Sequence, residues 1–162
     1  MNRTSRATPT VGDVMTITPR TIVGTQPITN ARRLMKEYDV RHLPVVDEHD
    51  KLVGVVSERD IHVAQAASDG RVPVETIMTP KPYAVPPNAL LNQVARIMAA
   101  KKHGSAVVVD KGTILGIFTT TDALGVLADS LEGKLPRVQA AIDVERRPAR
   151  PRTRRVGREA LA

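Results

Sequence analysis

The 162-residue chain contains no cysteine. That excludes disulfide stapling, thiolate nucleophiles and thiolate metal ligands, and it fits a reducing, cytoplasmic setting. Tryptophan is also absent, and Tyr38, Tyr83 and Phe118 are the only aromatic residues. A core must therefore be built from Val, Ile, Leu, Ala and Met, and little is left for the stacking platforms of single-stranded nucleic-acid binders. No apolar run approaches the roughly 18 residues that would span a bilayer, so no membrane partner is expected. Arg3 and Arg6 are followed by no apolar stretch, so the start does not read as a secretion signal. His42, His49, His62 and His103 lack metal-ligand spacing, and neither a metal site nor a catalytic cofactor is expected.

The net charge of +7 is unevenly spread. Residues 144–162 hold seven arginines against Glu145 and Glu159, and residues 1–10 add Arg3 and Arg6. The stretch 11–143 has fifteen Lys/Arg against fifteen Asp/Glu. A formally neutral body is no nucleic-acid platform. Only the tail could attract nucleic acid or an acidic partner, without sequence specificity and with steep salt dependence. Rich in Arg and Pro, the tail is expected to be disordered. Residues 138–144 could extend the fold as a short helix or a strand.

What the chain does have is an internal repeat. Val14-Met15-Thr16 returns as Ile77-Met78-Thr79, and Leu43-Pro44-Val45-Val46-Asp47 returns as Ala106-Val107-Val108-Val109-Asp110, both at an offset of 63. After a one-residue deletion in the intervening turn, Gly54 to Asp60 returns as Gly116 to Asp122. Matching segments in order, with one indel in a turn, indicate a duplication.

Each copy reads as β-α-β-β-α. Thr25 and Asn88 are candidate N-caps. Ile28, Ala31, Leu34, Met35 and Tyr38 fall on one helical face, as do Leu91, Val94, Ile97 and Met98 in the second copy. These helices should end near Asp39 and near His103-Gly104. The apolar runs 43–46 and 52–56, and 105–109 and 113–118, predict hairpins of buried strands. Second helices are expected over 58–67 and 120–131, and short extended pieces near 20–23 and 83–86. The expected organisation is a disordered N-terminus (1–10), units over 11–67 and 75–131, a linker (68–74) and the basic tail (132–162). One such unit buries a marginal core alone; an α/β (α+β) fold is expected, with two units packed sheet to sheet about a pseudo-twofold axis.

At Asp13-Val14-Met15-Thr16, Arg41-His42-Leu43-Pro44-Val45-Val46-Asp47 and Leu52-Val53-Gly54-Val55-Val56-Ser57-Glu58-Arg59-Asp60, with their repeats, the sequence resembles the CBS-domain family, named for cystathionine β-synthase, in the tandem form called the Bateman module. The resemblance covers residues 11–131. It implies binding of adenosine-containing ligands: AMP, ADP, ATP, S-adenosylmethionine or a dinucleotide such as NAD. It also implies homodimers and regulation of an attached or separate target protein. The chain lacks the barrel and catalytic cysteine of IMP dehydrogenase, with which such modules are associated, and no enzymatic activity is expected.

The site chemistry centres on Ser57 and Thr119, where a strand hands over to a helix. A helix N-terminus suits a phosphate, and the hydroxyl adds a hydrogen bond. The resemblance implies that Asp60 and Asp122 accept hydrogen bonds from both ribose hydroxyls. Ser-x-x-Asp is equally a helix-capping pattern, and the two roles are compatible. Arg41, His42 and Arg59 offer the first site positive charge, whereas Lys101, Lys102 and His103 precede the second, so unequal sites are expected. Adenine is expected near Ile17, Val40 and Leu43, or near Pro80 and Ala106 in the second copy, with Gly54 and Gly116 leaving room for close approach. A triad of Ser57, His42 and Asp60 lacks the nucleophile-elbow setting. The alternative to a sensor is an interaction module with vestigial sites whose tail binds an acidic partner or nucleic acid.

Overall fold

The computed structural model describes residues 8–67 and 70–134. Expectations for residues 1–7, most of the basic tail and residues 138–144 lie outside the described residues, whereas Pro9 and Thr10, at the end of the N-terminal segment, are bonded to the start of the second long helix. The element order is α1 (Val11–Val14), β1 (Thr16–Ile17), β2 (Ile22–Val23), α2 (Ile28–Tyr38), β3 (His42–Val46), β4 (Leu52–Ser57) and α3 (Glu58–Ala67). A short 3-10 turn, Val74–Thr76, leads to β5 (Thr79–Pro80), β6 (Ala84–Val85), α4 (Leu91–Lys101), β7 (Ser105–Asp110), β8 (Thr113–Thr119) and α5 (Thr120–Leu131).

The strands form two four-stranded sheets, β2-β3-β4-β5 and β1-β8-β7-β6. The fold is α+β, with the duplicated units visible in both sheets. β2 runs parallel to β3, with Ile22 beside Val45, and β6 runs parallel to β7, with Ala84 beside Val107. The outer strands are exchanged. β1 belongs by sequence to the first repeat yet pairs antiparallel with β8, Thr16 opposite Ile117 and Ile17 opposite Gly116. β5, from the second repeat, pairs with β4, Pro80 opposite Gly54 and Thr79 opposite Val55. Among the described residues, one compact half is therefore centred on Thr18–Pro82, while the other joins residues 8–17 with Tyr83–Asp110 and residues 115–134. We call the half containing β2–β5 the first and the half containing β1 and β6–β8 the second.

The same exchange starts the long helices. The N-caps of α2 and α4 are Pro27 and Leu90, not Thr25 and Asn88, and neither supplies a side-chain cap. Their first N–H groups instead find backbone carbonyls on the exchanged segments. Ile28 N–H donates to Val72 O at 2.9 Å, and Leu91 N–H donates to Pro9 O at 2.9 Å. Unpaired helix-end donors are costly when buried, and a neighbouring backbone satisfies them as well as a side chain does. Both helices end in the left-handed region, at Asp39 (φ 51°) and Lys102 (φ 57°), close to the expected ends.

Apolar residues from helix and sheet close each core. In the first half Ile22, Ile28, Leu34, Leu43, Val45, Val56 and Ile61 pack with the exchanged Val74. In the second, Leu91, Val94, Met98, Ala106, Val108 and Phe118 pack with the exchanged Val11. Each fully buried aliphatic contributes about 1.5–3 kcal/mol relative to exposure.

Candidate functional site

In the first half, strand pairing brings the start of β3 to the end of β4, with His42 opposite Ser57. α3 begins at the next residue, and Glu58 N–H donates to Arg41 O at 2.9 Å. The corner is closed by Asp60, whose Oδ2 accepts from Ser57 N–H at 2.8 Å and from the Ser57 hydroxyl at 2.7 Å. Asp60 N–H returns a bond to Ser57 Oγ at 3.3 Å. Arg41, His42, Ser57, Arg59 and Asp60 are thus brought to one corner; His42, Ser57 and Asp60 are half-buried, and the two arginines are exposed.

The second half repeats this geometry. Asp122 Oδ2 accepts from Thr119 N–H and from the Thr119 hydroxyl, both at 2.7 Å. Asp122 N–H donates to Thr119 Oγ1 at 3.3 Å, and Thr120 N–H donates to Gly104 O at 3.1 Å. The capping role is realised in both halves. It engages one carboxylate oxygen of each acid, and the other, Oδ1, has no hydrogen bond among the described residues. That oxygen can accept from a hydroxyl brought by a ligand.

Several expected neighbours are placed differently. Ile17, 44% exposed, lies opposite Gly116 on the sheet of Thr119 and not on that of Ser57. Pro80 lies opposite Gly54, on the sheet of Ser57. Strand exchange therefore reverses the expected grouping of these two residues. Leu43 and Ala106 are fully buried, each in its half's core, so their side chains offer no surface to a base in this structure. Val40 packs at the edge of the first core.

The two glycines each lie beneath a methionine from the exchanged segment. A Cβ on Gly54 would collide with the Met78 side chain and stand 3.0 Å from Thr79 O. One on Gly116 would collide with Met15 and stand 2.9 Å from Thr16 O. The space above each glycine belongs to the exchanged strand, not to a ligand. The recurring Val/Ile-Met-Thr triplet was the signal for this contact.

Burial holds the His42 imidazole below its usual pKa, against the pull of the Asp60 carboxylate and with the help of the Arg41 charge. In the second half His103 stacks on Tyr83, ring centroids 5.3 Å apart and planes 17° apart, and burial raises the Tyr83 hydroxyl pKa. The sequence reading missed this pair, since twenty residues separate its members. In the first half the Arg20 guanidinium lies 3.9 Å from the centroid of the Tyr38 ring. On α5, Leu124, Leu127 and Leu131 form an exposed stripe, at 66%, 53% and 81% exposure. Among the described residues no group of three or more His, Cys, Asp or Glu could hold a metal, and no helix is long and apolar enough to cross a membrane.

Comparison with known proteins gives a consistent picture. The CBS domain family model matches residues 11–66 and again 74–129. The CBS domain-containing protein YhcV of Bacillus subtilis is 34% identical over 120 residues, covering 73% of this chain and 82% of YhcV. By contrast, the chain spans only 22% of the inosine-5'-monophosphate dehydrogenase of Korarchaeum cryptofilum, at 34% identity over 113 residues. Among solved structures, the CBS domain pair of protein MJ0100 in complex with 5'-methylthioadenosine and S-adenosyl-L-methionine is similar with a TM-score of 0.71 and 28% identity. That match covers 76% of this chain and 98% of the pair. CBSX2, known from Arabidopsis thaliana, in complex with AMP matches with a TM-score of 0.67 and 30% identity, covering 76% of this chain and 98% of CBSX2.

Proposed function

The chain belongs to the CBS domain family, and from that premise we propose that it is a cytoplasmic regulatory sensor of adenosine-containing ligands and not an enzyme. The observation that carries the reading is the hydroxyl–carboxylate corner built twice, each with one carboxylate oxygen left to accept. Ribose hydroxyls donate to Asp60 or Asp122. A phosphate accepts from the Ser57 or Thr119 hydroxyl, which turns its one proton from the Asp60 or Asp122 carboxylate to the ligand, with Arg41, His42 and Arg59 adding charge in the first half. Relatives crystallised with AMP, and with 5'-methylthioadenosine and S-adenosyl-L-methionine, support the ligand class. The exposed leucine stripe on α5 supports self-association into a homodimer, through which ligand occupancy is passed to a target protein.

A thermal-shift series with AMP, ADP, ATP, S-adenosylmethionine and NAD tests this. At one hundred times Kd, one ligand stabilises by about 2.7 kcal/mol, or roughly 5–10 °C for a chain of this size. The double variant Asp60→Ala/Asp122→Ala is expected to start from a lower Tm, having lost two caps, and to show no ligand-induced rise. An unchanged rise in that variant, or no rise with any of the five compounds at millimolar concentration in the parent chain, defeats the reading.

A further inference from the structure

We propose that His42 makes the first half selective for a phosphate-bearing adenosine ligand by taking up a proton as that ligand binds, whereas the second half, with Ser105 in its place, binds without that exchange. The inference rests on the nucleotide-binding reading above and adds to it a difference between the halves in ligand preference and a direction of proton flow.

His42 stands across the strand pair from Ser57, whose hydroxyl opens α3. Its neighbour Arg41 is tied to the same corner through the Glu58 N–H bond. A phosphate that reaches the Ser57 hydroxyl therefore lies alongside the imidazole. Burial is the largest influence on that ring and outweighs the carboxylate beside it. Asp60 favours the imidazolium, while burial and Arg41 oppose it. Glu58 and Arg59 are exposed on the first turn of α3, and Arg20, at the approach to β2, is engaged on the Tyr38 ring. The free protein thus holds a mainly neutral imidazole near neutral pH. A phosphate dianion brings negative charge to the ring, tips the balance to the imidazolium and gains a charge-assisted hydrogen bond. In the second half, Ser105 is 6% exposed, Gly104 stands where the first half has Arg41, and the nearest imidazole, His103, is stacked on Tyr83.

Titration calorimetry on the full chain separates the halves. Asp122→Ala reads the first half and Asp60→Ala the second, each with AMP and with adenosine, in buffers of differing ionisation enthalpy near pH 7. AMP binding to Asp122→Ala is expected to take up a large fraction of a proton. Its affinity should weaken roughly threefold per pH unit above neutrality, against a ceiling of about tenfold for one whole proton. Adenosine should bind the same variant without uptake. His42→Gln in that background should abolish the uptake and weaken AMP by a larger factor than it weakens adenosine. The phosphate's own titration, near pH 6, is common to both halves, so the difference between variants isolates His42. Equal uptake in the two Asp variants, uptake that survives His42→Gln, or AMP bound only by the second half overturns the proposal and leaves the nucleotide reading standing. Binding of neither compound to any form of the chain overturns both.

Discussion

Ser57 with Asp60 in the first half, and Thr119 with Asp122 in the second, close the same corner with bonds that agree within 0.1 Å, from 2.7 to 3.3 Å. Around this shared frame the chemistry diverges. Arg41-His42 becomes Gly104-Ser105, and Glu58-Arg59 becomes Thr120-Thr121. The helix surfaces diverge as well. α2 exposes Arg32, Arg33 and Lys36, with Arg33 paired to Glu37 at 3.0 Å, whereas α4 carries Ala95, Arg96 and Ala99 at those places. Both halves solve the same folding problem, so the Arg32 and Lys36 cations, which have no counterpart on α4, are not needed to pack the helix. A feature kept in both halves reports on the fold or on chemistry the sites share; one that differs reports on what each half does alone.

The largest effect should come from the cores, where equivalent positions are filled differently. Phe118 and Val56 occupy matching places on β8 and β4, and both are buried, at 1% and 0% exposure. Phe118→Ala is expected to cost about 3–5 kcal/mol, because transfer and cavity terms both scale with what is removed. Val56→Ala should cost clearly less. Urea unfolding of the two variants checks this, and equal losses would show that the second core collapses around its cavity as the first does not.

Local pattern made most of this architecture readable. The hairpins and the helices Glu58–Ala67 and Thr120–Leu131 follow from apolar runs, helical spacing and the Ser/Thr-x-x-Asp pattern. Each of those signals is carried by residues close in sequence. What escaped is non-local. β1 and β5 are two residues long, and nothing within Thr16–Ile17 or Thr79–Pro80 says which copy's hairpin they join. The starts at Pro27 and Leu90 escaped for the same reason, since their donors are satisfied by Val72 and Pro9, tens of residues away in the chain. At the site, the capping role of Asp60 was legible, because Ser57 and Asp60 stand three residues apart. The occupancy of the space above Gly54 was not, because the methionine that fills it comes from the other repeat.

A smaller and more even effect is expected at the shared corner. Asp60→Ala and Asp122→Ala each remove a side chain that accepts two hydrogen bonds at a helix start, and about 0.5–2 kcal/mol should be lost at each. Matching distances imply matching losses, so the two single variants should unfold at nearly the same urea concentration. A loss confined to one of them would mean that the corners, alike in geometry, are unlike in strength.

The smallest expected effect sharpens the comparison most, because only the first half can show it. With no ligand bound, burial holds the His42 pKa below the usual histidine value of about 6.5, which the unfolded chain keeps. The unfolded state therefore takes its proton first as the solution is acidified. The contribution of His42 to stability is complete above about pH 6.5 and declines as pH falls from there toward the folded-state pKa. His42→Gln should flatten that part of the urea-stability profile between about pH 7 and 5, while changes confined to the Ser105 position should leave its slope alone. A decline that grows steeper in His42→Gln would place the imidazole where Asp60 outweighs burial, and would reverse the sense in which the free first half is poised to gain a proton.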